Sequence, residues 1–257
     1  MKKTAIALCA GLLAVAPLAA QTATEIVTAA RDRIDAKTVS TRSRMVILSK
    51  DGSTTERLLD QYSSDADSGD RTIVVFQRPA SVAGTRFLTI ERKGAEDDRW
   101  IFLPSLGKVR RIAASEGSGS FVGTDMSYDD ISAANRDVSE DDHTLLREEA
   151  IGGSPCYVIE SKPKDASFQY SKMVQWIDKE TKVVRRVELF DRKGVHVKTL
   201  ETLRFETVQG RLTPMETRMS TIAAKTSTTI IVEIVKYDQP IPEGVFTTDY
   251  LSTGRVR

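Results

Sequence analysis

The strongest constraint in this sequence is a long series of β-like segments joined by turns too short to hold a helix. In the second half they fall at 145–151, 156–162, 172–178, 183–190, 195–207, 212–221 and 226–237. Tight turns sit at Gly152-Gly153, Lys179-Glu180, Arg192-Lys193-Gly194 and Gln209-Gly210. Parallel neighbours need a long crossover connection, so strands this close together pair antiparallel, each with the next. The first half repeats the pattern. Segments 44–50 and 55–62 flank the hairpin signal Asp51-Gly52-Ser53, and 71–76, 87–92, 99–103 and 108–112 follow a polar loop. The expected fold is mainly β: a single antiparallel meander in one domain, with no internal repeat or linker to divide it.

A single sheet of roughly ten strands with one dry face has to curl or split. Along 195–206 the alternation predicts Val195, Val197, Leu203 and Phe205 on the dry face, with His196, Lys198, Arg204 and Glu206 in water. Segments 73–76 and 100–103 are apolar at every position, so those strands should be covered on both faces. The concave side of a curled sheet is either filled by side chains or left as a ligand cavity. Alternation alone does not choose between them.

The ends of the pattern are not strand-like. Lys2 and Lys3 precede an apolar run over 5–16, Pro17 breaks it, and Leu18-Ala19-Ala20 offers small residues for cleavage before Gln21. This reads as a signal peptide over 1–20, too short to span a bilayer, followed by one domain over 21–257. Cys9 sits inside the apolar run rather than after it, which argues against lipidation. Thr22-Ala23-Thr24-Glu25 fits a capping box, and Ile26, Ala30 and Ile34 form one helical stripe. Residues 245–251 are expected to make a last short helix after Pro240, Pro242 and Gly244.

Charge and cysteine content narrow the function. Cleavage removes two of the 37 basic residues and none of the 36 acids, leaving a near-neutral chain with no electrostatic footprint for nucleic acid. Cys156 is then the only cysteine, so no intramolecular disulfide forms. Its strand-like setting suits a small buried hydrophobe better than a nucleophile.

Catalytic patterns are weak. His143 follows Asp141 and Asp142, but adjacency in sequence is not triad geometry, and His196 lies on the charged side of its strand. No G-x-S-x-G elbow and no H-E-x-x-H motif is present. The stretch from Asp65 to Asp70 imitates a calcium loop, yet its twelfth position is Phe76, where a bidentate Glu is required. No enzyme activity, cofactor or metal is expected.

The stretch 113–135 breaks the strand rhythm. Its glycines and serines give a pliant backbone, while Phe121, Val122, Met126 and Tyr128 are unusually apolar for a solvated loop. It reads either as a flap packed over a ligand or as a long connection tucked against the sheet. Asp129-Asp130 is placed to pair with a basic residue and fix it.

Here the sequence becomes recognisable. Trp100-Ile101-Phe102-Leu103-Pro104-Ser105-Leu106-Gly107-Lys108-Val109-Arg110-Arg111-Ile112, then Phe121-Val122-Gly123-Thr124-Asp125-Met126-Ser127-Tyr128-Asp129-Asp130, resembles the outer-membrane lipoprotein-sorting protein family. This is the longer branch of the LolA-like superfamily. The match is specific over 74–130. The resemblance implies a half-open barrel with helices plugging its concave face, a periplasmic address and a cavity for acyl chains. It also implies an arginine that locks a lid, which the motifs do not align to a particular residue here.

The resulting expectation is a carrier that shuttles lipid or lipoprotein acyl chains from an inner-membrane exporter toward an outer-membrane acceptor. The alternative is a sensor that signals lipidated ligands to a membrane partner without transport. The expected apolar cavity is lined by Met45, Ile47, Val74, Phe76, Phe87, Trp100, Phe102, Trp176, Met215 and Met219. Phe121, Val122, Gly123, Asp125, Met126, Tyr128 and Asp129 form the expected gate.

Overall fold

The computed structural model describes residues 21–66, 69–92, 95–132 and 136–256. The expected signal peptide, and Asp67 and Ser68 of the calcium-like stretch, lie outside the described residues.

Helix α1, Ala23–Arg31, starts as its sequence predicts. The Thr22 hydroxyl accepts from the Glu25 N–H, and the Glu25 carboxylate accepts from the Thr22 N–H. Ile26, Val27 and Ala30 are its buried stripe, while Ile34 falls beyond the helix end.

Thirteen strands follow among the described residues, in one unclosed antiparallel sheet. β1 (Thr38–Leu48), β2 (Thr54–Ser64), β3 (Arg71–Arg78), β4 (Arg86–Ile90), β5 (Asp98–Leu103) and β6 (Lys108–Arg111) form one meander. β7 (Asp141–Ile151), β8 (Ser154–Pro163), β9 (Lys172–Asp178), β10 (Val184–Phe190), β11 (His196–Val208), β12 (Arg211–Thr221) and β13 (Thr226–Tyr237) form the second. Pairing of β1 with β13, with Met45 opposite Ile230, joins the two. This join leaves β6 and β7, consecutive in sequence, as the two opposite edges of the sheet. The chain between them therefore has to travel the width of the sheet.

The strand pleat separates two apolar faces. On β3, Val74 and Phe76 pack with Met45, Leu59, Phe87 and Ile101 on the inner face. Ile73 and Val75 pack on the outer face with Leu88 and the C-terminal Val245, Phe246 and Leu251. The expected double cover of this strand is thus present. Its outer lid is a 3-10 turn, Glu243–Phe246, and α3, Thr248–Thr253, held in part by Arg86 donating to the Leu251 carbonyl at 2.7 Å.

The inner face is continuous through both meanders. Residues paired across antiparallel strands share a face, and the pairs Ile47–Thr228, Thr228–Met219, Met219–Leu200, Leu200–Val187 and Val187–Gln175 trace it from β1 to β9. Near its far edge, Ile159 and Ile177 receive the buried stripe of α1.

One strand departs from the alternation expected of it. Val195, just before β11, and Leu203 within it are 55% and 43% exposed, whereas Lys198 and Leu200 lie on the inner face, opposite Leu189 and Val187. The neighbours on β10 and β12 set the register, and irregularities between Thr202 and Phe205 break the two-residue period.

Candidate functional site

The crossing chain forms a plug over the inner face. It begins with a 3-10 turn, Ala114–Glu116, carries α2, Tyr128–Ser132, and ends in a 3-10 turn, Val138–Glu140. Phe121, 1% exposed, enters the inner cluster. Its ring centroid lies 5.2 Å from Phe87, 5.8 Å from Phe76 and 5.7 Å from Tyr128. Aromatic contacts of this kind contribute about 0.5–1.5 kcal/mol each beyond burial.

Polar latches hold the plug on either side of that anchor. Arg57 Nη1 on β2 donates to the Val122 carbonyl at 2.6 Å. Val122 itself has φ 51°, a left-handed conformation that strains a β-branched residue by roughly 1–3 kcal/mol. Asp125 is buried and accepts from the hydroxyls of Thr221 (2.6 Å), Thr226 and Thr228 (2.7 Å) at the middle of the sheet. Met126 touches both the Phe121 cluster and a second inner cluster around Tyr170, Leu189 and Met219.

Asp129 and Asp130 complete the fastening. Asp129 pairs with Arg99 of β5, with both side chains largely out of solvent. Asp130 pairs with Lys198 at 2.7 Å and accepts from the Tyr170 hydroxyl at 2.8 Å. Burial, then the adjacent Asp130 charge, pushes the Tyr170 phenol well above its ordinary range, so it stays a donor. Gly117 allows the close fold of this segment: a Cβ there would lie 2.0 Å from an Asp129 carboxylate oxygen.

Not all of the expected site residues meet. Met45, Val74, Phe76 and Phe87, with Ile47 against them, surround Phe121. Met219 belongs to the neighbouring inner cluster, and Met215, also buried, stands four residues before it on β12. Trp100 and Phe102 alternate with the inner Ile101 and so face outward, against the C-terminal lid. Trp176 likewise alternates with Ile177 and packs with Cys156, Val158 and Val174. Of the gate residues, Phe121, Val122, Met126 and Tyr128 pack on the inner cluster, Asp125 and Asp129 are latches, and Gly123 is exposed at the bend with φ 74°.

The space beside the plug is polar rather than apolar. A cavity of about 840 Å³ is lined by Arg31, Asp97, Arg99, Asp129, Arg136 and Asp137 among others. Sequence reasoning missed Arg57, Arg99, Lys198, Tyr170 and the three threonines. The available signal was the plug itself, because acids in an apolar segment require buried donors somewhere in the fold.

The histidines are structural. His143 Nε2 donates to the Val138 carbonyl at 2.9 Å, and its Nδ1 lies 2.8 Å from Ser161 Oγ. Ser161 is wholly buried and also accepts from Gln175, so this Ser–His contact offers no substrate an approach. His196 bonds to Thr199 and the Lys198 carbonyl.

A family described as uncharacterized-protein-like matches residues 68–253, a span that contains the plug and eleven of the thirteen described strands. The chain belongs to this family. Solved structures place the family fold among lipoprotein-sorting and LolA-superfamily proteins. A DUF1329 family protein from Desulfovibrio piger is 29% identical with a TM-score of 0.85, over 89% of this chain and 97% of its own. A structure described as an outer-membrane lipoprotein-sorting protein domain, from Vibrio parahaemolyticus, is 25% identical with a TM-score of 0.84, over 90% and 98%. A LolA superfamily protein from Nitrosomonas europaea, 23% identical over 90% and 100%, shares the fold with a TM-score of 0.73. The family resemblance and the curved, plugged sheet expected from the sequence are therefore borne out. A search of curated proteins finds no match.

Proposed function

We propose that this family member is a periplasmic, non-enzymatic carrier of acyl chains, exported by residues 1–20 and folded as one domain over 21–257. On this reading it collects lipid or lipoprotein from an inner-membrane exporter and delivers it toward an outer-membrane acceptor. The observation that carries the proposal is that one crossing segment seals an apolar inner face and is fastened by polar latches rather than by sheet hydrogen bonds.

The energetics support exchange of plug for cargo. Burial of Phe121, Val122, Met126 and Tyr128 contributes on the order of 8 kcal/mol. An acyl chain burying about ten methylenes gains a similar amount, about 0.8 kcal/mol for each. A ligand can therefore offset the apolar burial of the plug, the polar latches being the part of the cost that remains, and the strained Val122 backbone favours release. The inner face is closed by the chain's own residues in this state, and the proposed ligand-bound state is the one with the plug displaced.

Native mass spectrometry of protein purified from its host tests the reading. Co-purified lipid, and uptake of a fluorescent fatty acid by delipidated protein, are the expected results. Protein that is lipid-free and ignores the fatty acid would overturn it. Transfer of labelled cargo from loaded protein to acceptor vesicles separates a carrier from a sensor, which retains its ligand.

A further inference from the structure

Antiparallel pairing sends the connections of this sheet alternately to its two ends, and the β1–β13 register sets Leu48 opposite Ser227. The turns 49–53, 79–85, 104–107, 191–195 and 222–225 therefore share one end, together with the 164–171 loop. Successive hairpins along this rim stand two strands, or roughly 10 Å, apart.

Exposed apolar side chains gather on it. Leu48, Leu106, Val195 and Ile222 are 39%, 64%, 55% and 47% exposed, four of the nine large hydrophobic residues that face water among those described. The described turns at the opposite end carry none of the nine. A lone exposed apolar residue is ordinary, but a row of them at the tips of successive hairpins marks an interaction surface.

Cations flank the row. Lys50, Lys193 and Lys225 lie in the same turns, with Arg78 and Lys108 at the strand ends beside them. All five are exposed and form no ion pair among the described residues. The acids at this end serve their own turns: Asp51 accepts from the Ser53 N–H, Asp165 from the Ser167 N–H, and Asp191 from the Lys193 and Val195 N–H groups. In the described turns of the other end acids prevail, with Asp65, Glu91, Glu96, Asp97 and Asp238 among them. A chain close to neutral overall is thus polarised along its strands.

The same rim is the mouth of the plug. Val82, in the 79–85 turn, packs on the Phe121 cluster. Asp125 is held by Thr221 and Thr226, the pair that closes the turn bearing Ile222 and Lys225.

We propose that this rim docks on an anionic phospholipid bilayer, with Leu106, Val195 and Ile222 entering the head-group layer and Lys50, Lys108, Lys193 and Lys225 meeting lipid phosphates. Apolar tips leave water on docking, and each cation near an anionic surface strengthens the contact within a Debye length. The turn backbone stays at head-group depth, where water still satisfies its N–H and C=O groups. The surface goes beyond the carrier reading and takes only its purpose from it: the mouth of the plug is turned toward the membrane that supplies or receives an acyl chain.

The test is flotation of the whole mature protein with vesicles of phosphatidylcholine alone and of phosphatidylcholine mixed equally with phosphatidylglycerol. The expected result is binding to the mixed vesicles that weakens as salt rises, and little binding to phosphatidylcholine alone. Lys193→Gln with Lys225→Gln should lower the affinity about 25-fold, about fivefold for each cation. Leu106→Ser with Ile222→Ser should lower it by about tenfold or more. Lys236→Gln, exposed near the opposite end of β13, should change nothing.

No binding to the mixed vesicles, full binding by the two rim variants, or an equal loss in Lys236→Gln would overturn the docking surface. Uptake of a fluorescent fatty acid, measured without vesicles, separates this from the carrier reading. Uptake without docking removes the surface and leaves the carrier, whereas docking without uptake removes the carrier and leaves the surface.

Discussion

Lys198 of β11 and Asp130 of the crossing segment, 68 residues apart in sequence, meet in an ion pair at 2.7 Å with side chains only 16% and 6% exposed. Asp130 also caps the turn before it, accepting from the Ser127 N–H while its own N–H donates to the Ser127 hydroxyl. The pair therefore ties the end of the plug to the second meander.

Lys198→Met should destabilise the protein by about 3 kcal/mol, because it strands a buried carboxylate. Adding Asp130→Asn should recover part of that loss, since the remaining amide carries no charge to bury. Urea denaturation of the four members of this cycle reads the coupling, and strictly additive losses would mean the pair does not fasten the plug.

Asp125→Ala removes the acceptor shared by Thr221, Thr226 and Thr228. With the buried Thr228 hydroxyl and the neighbouring donors left unpaired, the expected loss is about 2 kcal/mol. Hydrogen exchange should accelerate selectively over residues 119–128, with β8 and β9 unaffected. Uniform acceleration throughout the sheet would indicate a general fold defect instead.

Phe121→Ala empties the centre of the aromatic cluster. Truncations of this size cost about 3–5 kcal/mol. If the inner face is a latent lipid surface, the variant should also bind an apolar fluorophore such as N-phenylnaphthylamine more tightly than the parent protein does. A folded variant with unchanged fluorescence would count against that surface being reachable.

Gly117→Ala puts a methyl group into the space occupied by the Asp129 carboxylate. It should break the Arg99–Asp129 pair and lower stability, at about 1–3 kcal/mol for the overpacking. The loss should shrink in an Asp129→Ala background, where the space is free, and this is measured by thermal unfolding of the double variant.

Asp137 supplies a pH signature. Hydrogen bonds from Ser139, reinforced by Arg31 across the gap to α1, hold its carboxyl at about 2. A depressed folded value stabilises the protein above the ordinary carboxylate range near 3.9 and is lost as pH falls through about 2. Asp137→Asn should therefore be less stable than the parent at neutral pH, and the two stability curves should converge in acid. Curves that stay parallel down to pH 2 would show the interaction contributes nothing to folding.

Much of the architecture was readable in advance because it depends on local pattern. The tight turns forced antiparallel pairing, as at Asp51-Gly52-Ser53, where Asp51 accepts from the Ser53 N–H and Gly52 takes φ 86°. Thr22 and Glu25 announced the first helix. The apolar loop with its acids marked the plug. Cys156 is wholly buried, as its strand-like setting suggested. The candidate site was only half legible: Trp100 and Phe102 are as apolar as Phe87, and nothing local to them says which face of the sheet is inner.

The sequence by itself determined the strands, their antiparallel pairing within each meander and the presence of one irregular apolar segment, because turn length and side-chain period act over a few neighbouring residues. The tertiary structure alone decided that β1 pairs with β13 and so drives β6 and β7 to opposite edges. That long-range join makes the connection span the sheet, and the connection's course over the inner face brings Asp125 to Thr228 and Asp130 to Lys198. Buried charges find their partners through the shape of the whole sheet, which no short stretch of chain encodes.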